Sequence, residues 1–344
     1  MRVDVLTGGL SLAQMQQLAR DASAAGFSGL VVTEAGRTAY LQCAAAALAV
    51  PGLELLTGVA VAFPRSPMVT AQTAWELAEA SGGHFRLGLG TQVRAHIERR
   101  YGSAFEHPGP RLVEYVRAVR ACFAGFRGEP LAFDGHFTKL SLLSAMWSPG
   151  KIAVDDPPVD IAAVNPWMLR AAGRVADGVH VHPLNHPGYL REVVVPNVAQ
   201  GATETGRDPS AVQLIVPCFT VAGDTPEERA PWRELARTQV AFYGSTPNYA
   251  FVFELLGRTG TTEAIRERQK AGDFAGMAKV IDDELLASFV VEGSWDEMAD
   301  RIVDRFGGVA ERVVLYPAGM AYASNREHFD RLGAVARTIT EVSR

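Results

Sequence analysis

Cysteine is scarce in this 344-residue chain: only Cys43, Cys122 and Cys218, far apart, with no CxxC pair. That excludes a disulfide framework, suits a reducing compartment, and makes each thiol a small buried hydrophobe. Excess positive charge is missing too. The net charge is −5 with acidic and basic residues intermixed, so no basic stripe for nucleic acid is expected. No apolar run approaches the roughly 20 residues needed to span a bilayer. The start, "MRVDVLTGG", reads as a strand without the apolar stretch of a signal peptide. These absences predict a soluble, cytoplasmic protein without nucleic-acid or membrane partners.

Ordinary globular composition remains, 48% hydrophobic and 21% charged, at a length sufficient for a large core or two domains. Short apolar runs alternate with helical patterns. Strands are predicted at 2–6, 29–33, 53–63, 85–90, 159–164, 178–183, 213–222 and 312–319. Between them, Ser11 opens a helix that closes at Gly26, and an alanine-rich helix follows near 40–49. Pro67 starts a helix running to about Ala80, Arg111 to Ala124 forms an amphipathic helix, and the last helix spans about 326–342. Continuous apolar strands joined by helical crossovers indicate a parallel sheet, and eight units at this length favour a closed (β/α)₈ barrel over an open doubly wound sheet. Two insertions are expected: a hairpin, "LAFDGHFTKL", with a Pro/Gly loop at 127–157, and a mostly helical segment at 224–310. No linker splits the chain, so one domain is expected.

Candidate chemistry begins at "VADGVHVHPLNHP", where His180 and His182 share one face of a strand. The pair could open a metal site, line a cofactor pocket or fill a strand end. A metal-dependent hydrolase would need partners on strands one and eight, and "RVDVLTG" has no histidine while "RVVLYPAG" has no carboxylate. Gly88 and Gly90 in "FRLGLGTQ" share a face, and "TGVAVAFPRSPM" on the neighbouring strand is small at alternate positions. Together they describe either tight barrel packing or a slot for a planar ring. Asn165-Pro166 begins a helix at a strand's C-terminal end, a plain cap or a phosphate site. Tyr243, Tyr249, Phe251 and Phe253 cluster in the second insertion, as helix packing or as substrate determinants.

The order "GFSGLVVTEA", "LLTGVAVAFPRSPMVTAQTAWELAEASGGHFRLGLGTQ", "VEYVRAVRACF" and "VDIAAVNPWMLRAAGRVADG" resembles the bacterial luciferase-like superfamily, (β/α)₈ barrels that use FMN or coenzyme F420. The similarity runs over about residues 2–222 and resumes at the last strand. "GLGTQVRAHIERRYG" beside "AVAFPRSPM" most resembles the F420-dependent branch. The resemblance implies an F420-dependent oxidoreductase acting on a small organic substrate, with FMN as the alternative cofactor, and a homodimer. It places Glu34 beside the deazaflavin ring, and a bulge, often a non-proline cis peptide, at or next to Val59-Ala60, after Gly58. It makes Gly90, Gln92 and His96 ring neighbours and puts Ala163, Val164 and Asn165 at the cofactor phosphate. His180 and His182 become pocket wall, with no metal. Glu34, His96 and His182 are the candidate catalytic groups. Ala35 stands where many relatives carry histidine, and Val93 where the sugar-phosphate dehydrogenases carry glutamate, which speaks against that activity. An FMN-dependent monooxygenase, a metal hydrolase using His180 and His182, and a non-catalytic barrel are the competing readings.

Overall fold

The computed structural model describes residues 1–342. Eight parallel strands carry the fold: β1 (Arg2–Thr7), β2 (Gly29–Val32), β3 (Glu54–Thr57), β4 (Phe85–Gly90), β5 (Val159–Ala163), β6 (Gly178–Val181), β7 (Gln213–Ala222) and β8 (Arg312–Leu315). Each pairs with the next, and β8 returns to pair with β1, Arg2 opposite Arg312. The sheet closes, so the open doubly wound alternative is excluded, and the chain forms a (β/α)₈ barrel.

Local chemistry explains the element ends. Ser11 and Gln14 form a capping box ahead of the helix Leu12–Ala25, and Gly26 ends it at φ 104°, a left-handed value that favours glycine. Ser66 caps the helix Pro67–Ala80 through the Val69 N–H. The amphipathic helix begins earlier than its periodicity suggested, spanning Pro108–Phe126, and the last spans Arg326–Val342.

Three strand boundaries depart from expectation. The third strand is interrupted: β3 stops at Thr57, and a two-residue piece, Ala60–Val61, resumes beside β4. Between the pairs Leu56–Arg86 and Ala60–Leu89 the third strand advances one residue more than β4, which defines a bulge. A non-proline cis peptide bond joins Gly58 to Val59, next to Val59-Ala60 as expected. β6 ends at Val181, so His182 lies just beyond the strand, and residues after Leu315 turn into the helix Ala318–Ser324. The second insertion is mainly helical but also carries a strand, Val290–Gly293, which extends the sheet along the outer half of β7. β7 is ten residues long, so its first half closes the barrel while Phe219–Ala222 pairs outside it.

The barrel interior is layered. At its N-terminal end Arg312, 1% exposed, is clamped by Asp4 at 2.8 and 2.7 Å and also meets Glu54, while Arg86 forks onto Asp160 at 2.9 and 2.6 Å. Buried charges survive only when paired and hydrogen-bonded in this way. Above them lies an apolar layer of Val31, Leu56, Ile215 and Val314. No helix among the described residues is long and apolar enough to cross a membrane.

Candidate functional site

The C-terminal mouth of the barrel, where parallel barrels carry their chemistry, gathers most of the candidates, while Glu34, Gly88, Gly90 and His180 have surroundings other than those expected. Glu34, just past β2, is almost fully buried and already committed. Its Oε1 accepts from Arg65 Nη2 at 2.6 Å, and its Oε2 accepts from Arg65 Nη1 at 3.0 Å and from the Val61 N–H at 2.7 Å. Three of roughly four acceptor sites are used, so Glu34 is no free base; it fastens the end of β2 to the strand piece behind the bulge. Arg65 was not singled out from sequence. The signal was present in "AVAFPRSPM", but only the closed barrel brings the residue to Glu34.

The glycine slot is a correction. A Cβ on Gly88 would strike the Thr57 carbonyl and come within 2.5 Å of His180 Nε2; one on Gly90 would lie 2.6 Å from Val59 Cγ2. The space beside these glycines is filled by the chain itself, so tight barrel packing explains them. Thr57 completes the seam: its hydroxyl donates to the Gly88 carbonyl at 2.7 Å and accepts the Gly88 N–H at 2.8 Å, spanning the place where the bulge breaks the ladder.

The two histidines of the HxH pair separate in depth. His180 is not pocket wall at the mouth. It is buried within the barrel, its Nε2 unpartnered and 3.9 Å from Asp160 Oδ2, and burial pushes its pKa down to about 4 despite that carboxylate. His182 stands above it, half-buried, with Tyr243 at 4.8 Å and Tyr249 at 4.4 Å between ring centroids. Its Nδ1 accepts the Leu184 N–H at 3.1 Å, and burial pushes its pKa down to about 3. Among the described residues no three histidine, cysteine, aspartate or glutamate side chains converge to hold a metal ion.

The helix Pro166–Val175 begins directly after β5. Asn165 caps it, Oδ1 accepting the Met168 N–H at 3.0 Å, and the turn Asn165–Trp167 is exposed. First-turn N–H groups lack helical acceptors, so Trp167 offers a free donor there. Ala163 is buried at the end of β5, and the Val164 carbonyl accepts from the Tyr189 hydroxyl at 2.6 Å. Tyr189 also escaped the sequence reading, since nothing local ties it to β5. His96 is exposed on the short helix Arg94–Arg99, and Gln92 before it holds a left-handed φ of 57°, rare outside glycine.

With this geometry in hand, comparison with known proteins decides the family. A family model described as luciferase-like monooxygenase matches residues 2–312. The chain belongs to that family. An uncharacterized protein of Mycobacterium tuberculosis is 38% identical over 305 residues, covering 87% of this chain and 90% of its own length. A 5,10-methylenetetrahydromethanopterin reductase of Methanolobus tindarius is 30% identical over 301 residues, covering 86% and 87% respectively. The same fold occurs in the coenzyme F420-dependent tetrahydromethanopterin reductase of Methanopyrus kandleri, at a TM-score of 0.79 and 22% identity over 96% of this chain and 97% of that one. This luciferase-like protein is therefore an oxidoreductase built on a TIM barrel.

Proposed function

We propose that this chain moves a hydride between coenzyme F420 and a small organic substrate. The support is that two of the three candidate acid–base groups are not available as such: Glu34 is spent on Arg65 and Val61, and His182 stays neutral far below physiological pH. Such a site suits a reaction in which the cofactor carries the reducing equivalent and the barrel orients the partners. The relatives support the same branch, since the similar Methanopyrus kandleri enzyme is described as F420-dependent.

The residues fit a flat ring with a phosphate tail. The backbone of Gly58, Val59 and Ala60 at the bulge would back the ring, with Gln92 and His96 at its polar edge. The exposed start of the helix at Asn165 would meet the phosphate, where the helix dipole favours negative charge. When bound, F420 supplies the hydride chemistry. Val59 fills the face of Gly90, so the ring would lie against the bulge backbone and not between the two strands.

The test is parallel titration of the purified protein with F420 and FMN, followed by tryptophan fluorescence. Tighter binding of F420, with substrate-dependent bleaching of its absorbance, is expected. Tighter binding of FMN, with oxygen consumed by the reduced form, would move the chain to the monooxygenase branch.

A further inference from the structure

We propose that His182 presents a fixed Nε2–H donor to an uncharged substrate bearing a carbonyl or imine acceptor, inside a box walled by Tyr243, Tyr249 and Tyr316. The inference rests on the hydride-transfer reading above and names the substrate class of that site.

The tautomer follows from one hydrogen bond. The Leu184 N–H donates to Nδ1 at 3.1 Å, so Nδ1 carries the lone pair and the proton sits on Nε2. Among the described residues the only hydrogen bond of this ring is the one at Nδ1, and the ring is half-buried, so Nε2–H is free to meet a ligand. The ring cannot turn easily. Tyr243 meets it edge-on at 83° and Tyr249 covers it at 48°. Its backbone is fastened as well: Asn185 Nδ2 donates to the carbonyls of His182 at 3.0 Å and of Pro217 on β7 at 2.9 Å.

The tyrosines are ordered in the same way. Tyr316 donates to Gln239 Oε1 at 2.9 Å, so in the 2.7 Å contact between the two hydroxyls Tyr243 is the donor. Two of these rings come from the insertion after β7 and one follows β8, which places the insertion over the mouth. The four side chains that define the box are neutral: burial pushes the pKa values of all three tyrosines up and that of the imidazole down. A carboxylate or phosphate entering it would lose hydration and gain no opposite charge. A neutral molecule with one acceptor gains a preorganised donor and flat apolar walls. The histidine acts by holding that acceptor, and the neutral imidazole is an electrophile rather than an acid.

The test uses the full chain labelled with 15N-histidine, with and without F420, so that it reads out even if the cofactor assignment fails. Long-range 1H–15N correlation should find His182, identified by loss of its signals in His182→Gln, as the Nε2–H tautomer throughout the ordinary physiological range. Cyclohexanone should shift its Nε2 resonance, and cyclohexanecarboxylate at the same concentration should leave it in place. By isothermal titration calorimetry, His182→Phe should weaken cyclohexanone binding about tenfold, the value of one lost hydrogen bond. His182→Gln, which keeps an N–H, should retain most of it. An Nδ1–H tautomer, an equal response to the carboxylate, or undiminished cyclohexanone binding in a folded His182→Phe protein would each overturn the proposal. Failure of F420 to bind, with these results intact, would instead overturn the cofactor reading.

Discussion

Glu34 and Arg65 form a two-pronged ion pair at the barrel mouth, with Oε1–Nη2 at 2.6 Å and Oε2–Nη1 at 3.0 Å. The pair is unequal in burial: the glutamate side chain is 4% exposed and the arginine 23%. Removing the arginine strands a buried carboxylate, whereas neutralising the glutamate leaves a cation that reaches water. Arg65→Met should therefore cost about 3–5 kcal/mol, and Glu34→Gln, which still accepts from the Val61 N–H, about 1–2 kcal/mol. Denaturant unfolding of both variants checks the order. Equal losses would show that the pair does not hold the bulge against β2.

The glycines of β4 predict a second asymmetry. Gly88→Ala meets a backbone carbonyl, which cannot retreat, whereas Gly90→Ala meets the end of the Val59 side chain at 2.6 Å. Overpacking costs about 1–3 kcal/mol where neighbours can yield and more where they cannot. Val59→Ala should rescue Gly90→Ala, while His180→Ala should fail to rescue Gly88→Ala because the Thr57 carbonyl remains. Unfolding midpoints of the four variants measure this; rescue of Gly88→Ala would place the conflict at His180 alone.

These two cases mark where the sequence stopped being readable. Alternating apolar runs and helix caps such as Ser11 and Ser66 are local signals, and they placed the eight strands and the closed barrel correctly. The period of two put His180 and His182 on one face, but depth along the barrel axis depends on where β6 ends, which no local pattern carries. The slot at Gly88 and Gly90 looked empty because its occupants, His180 and Val59, come from β6 and the bulge. Val290–Gly293 was hidden for the same reason: four residues become a strand only because the long β7 offers a free edge. The bulge after β3 was legible only through the family resemblance, which put it at or next to Val59-Ala60, where it lies.

Acid sensitivity should come from the buried imidazoles. His328 stacks on Trp232 at 4.1 Å and meets Trp295 edge-on at 4.7 Å. Burial, with Arg331 nearby, pushes its pKa from 6.5 down to about 4. Well above pH 6.5 neither the folded nor the unfolded chain protonates it, so it contributes no pH dependence there. Below that, the unfolded chain binds a proton that the folded chain refuses, and stability falls until about pH 4. The loss from this one residue is at most about 3 kcal/mol. His180 and His182 act in the same direction, so His328→Phe should make the decline shallower without abolishing it. Thermal midpoints between neutral and mildly acid pH test this; an unchanged slope in the variant would assign the acid loss elsewhere.

Tyr189 ties the insertion to the start of the candidate phosphate helix. Its hydroxyl donates to the Val164 carbonyl at 2.6 Å, and its ring packs on Phe251 of the insertion at 5.8 Å. Its N–H donates to His186 Nδ1 at 3.2 Å, which leaves Nε2–H to donate to the Val252 carbonyl at 3.1 Å. A ligand that orders the Val164–Asn165 turn should therefore feel Tyr189 without touching it. Tyr189→Phe keeps the ring packing and deletes one hydrogen bond, worth about 1 kcal/mol, so F420 affinity should fall roughly fivefold. Asn165→Ala should add a separate loss of about 1 kcal/mol of stability through the vacant cap at Met168. Fluorescence titration of Tyr189→Phe reads the first effect and denaturant unfolding of Asn165→Ala the second. An unchanged dissociation constant in a folded Tyr189→Phe protein would detach the cofactor phosphate from the Val164–Asn165 turn.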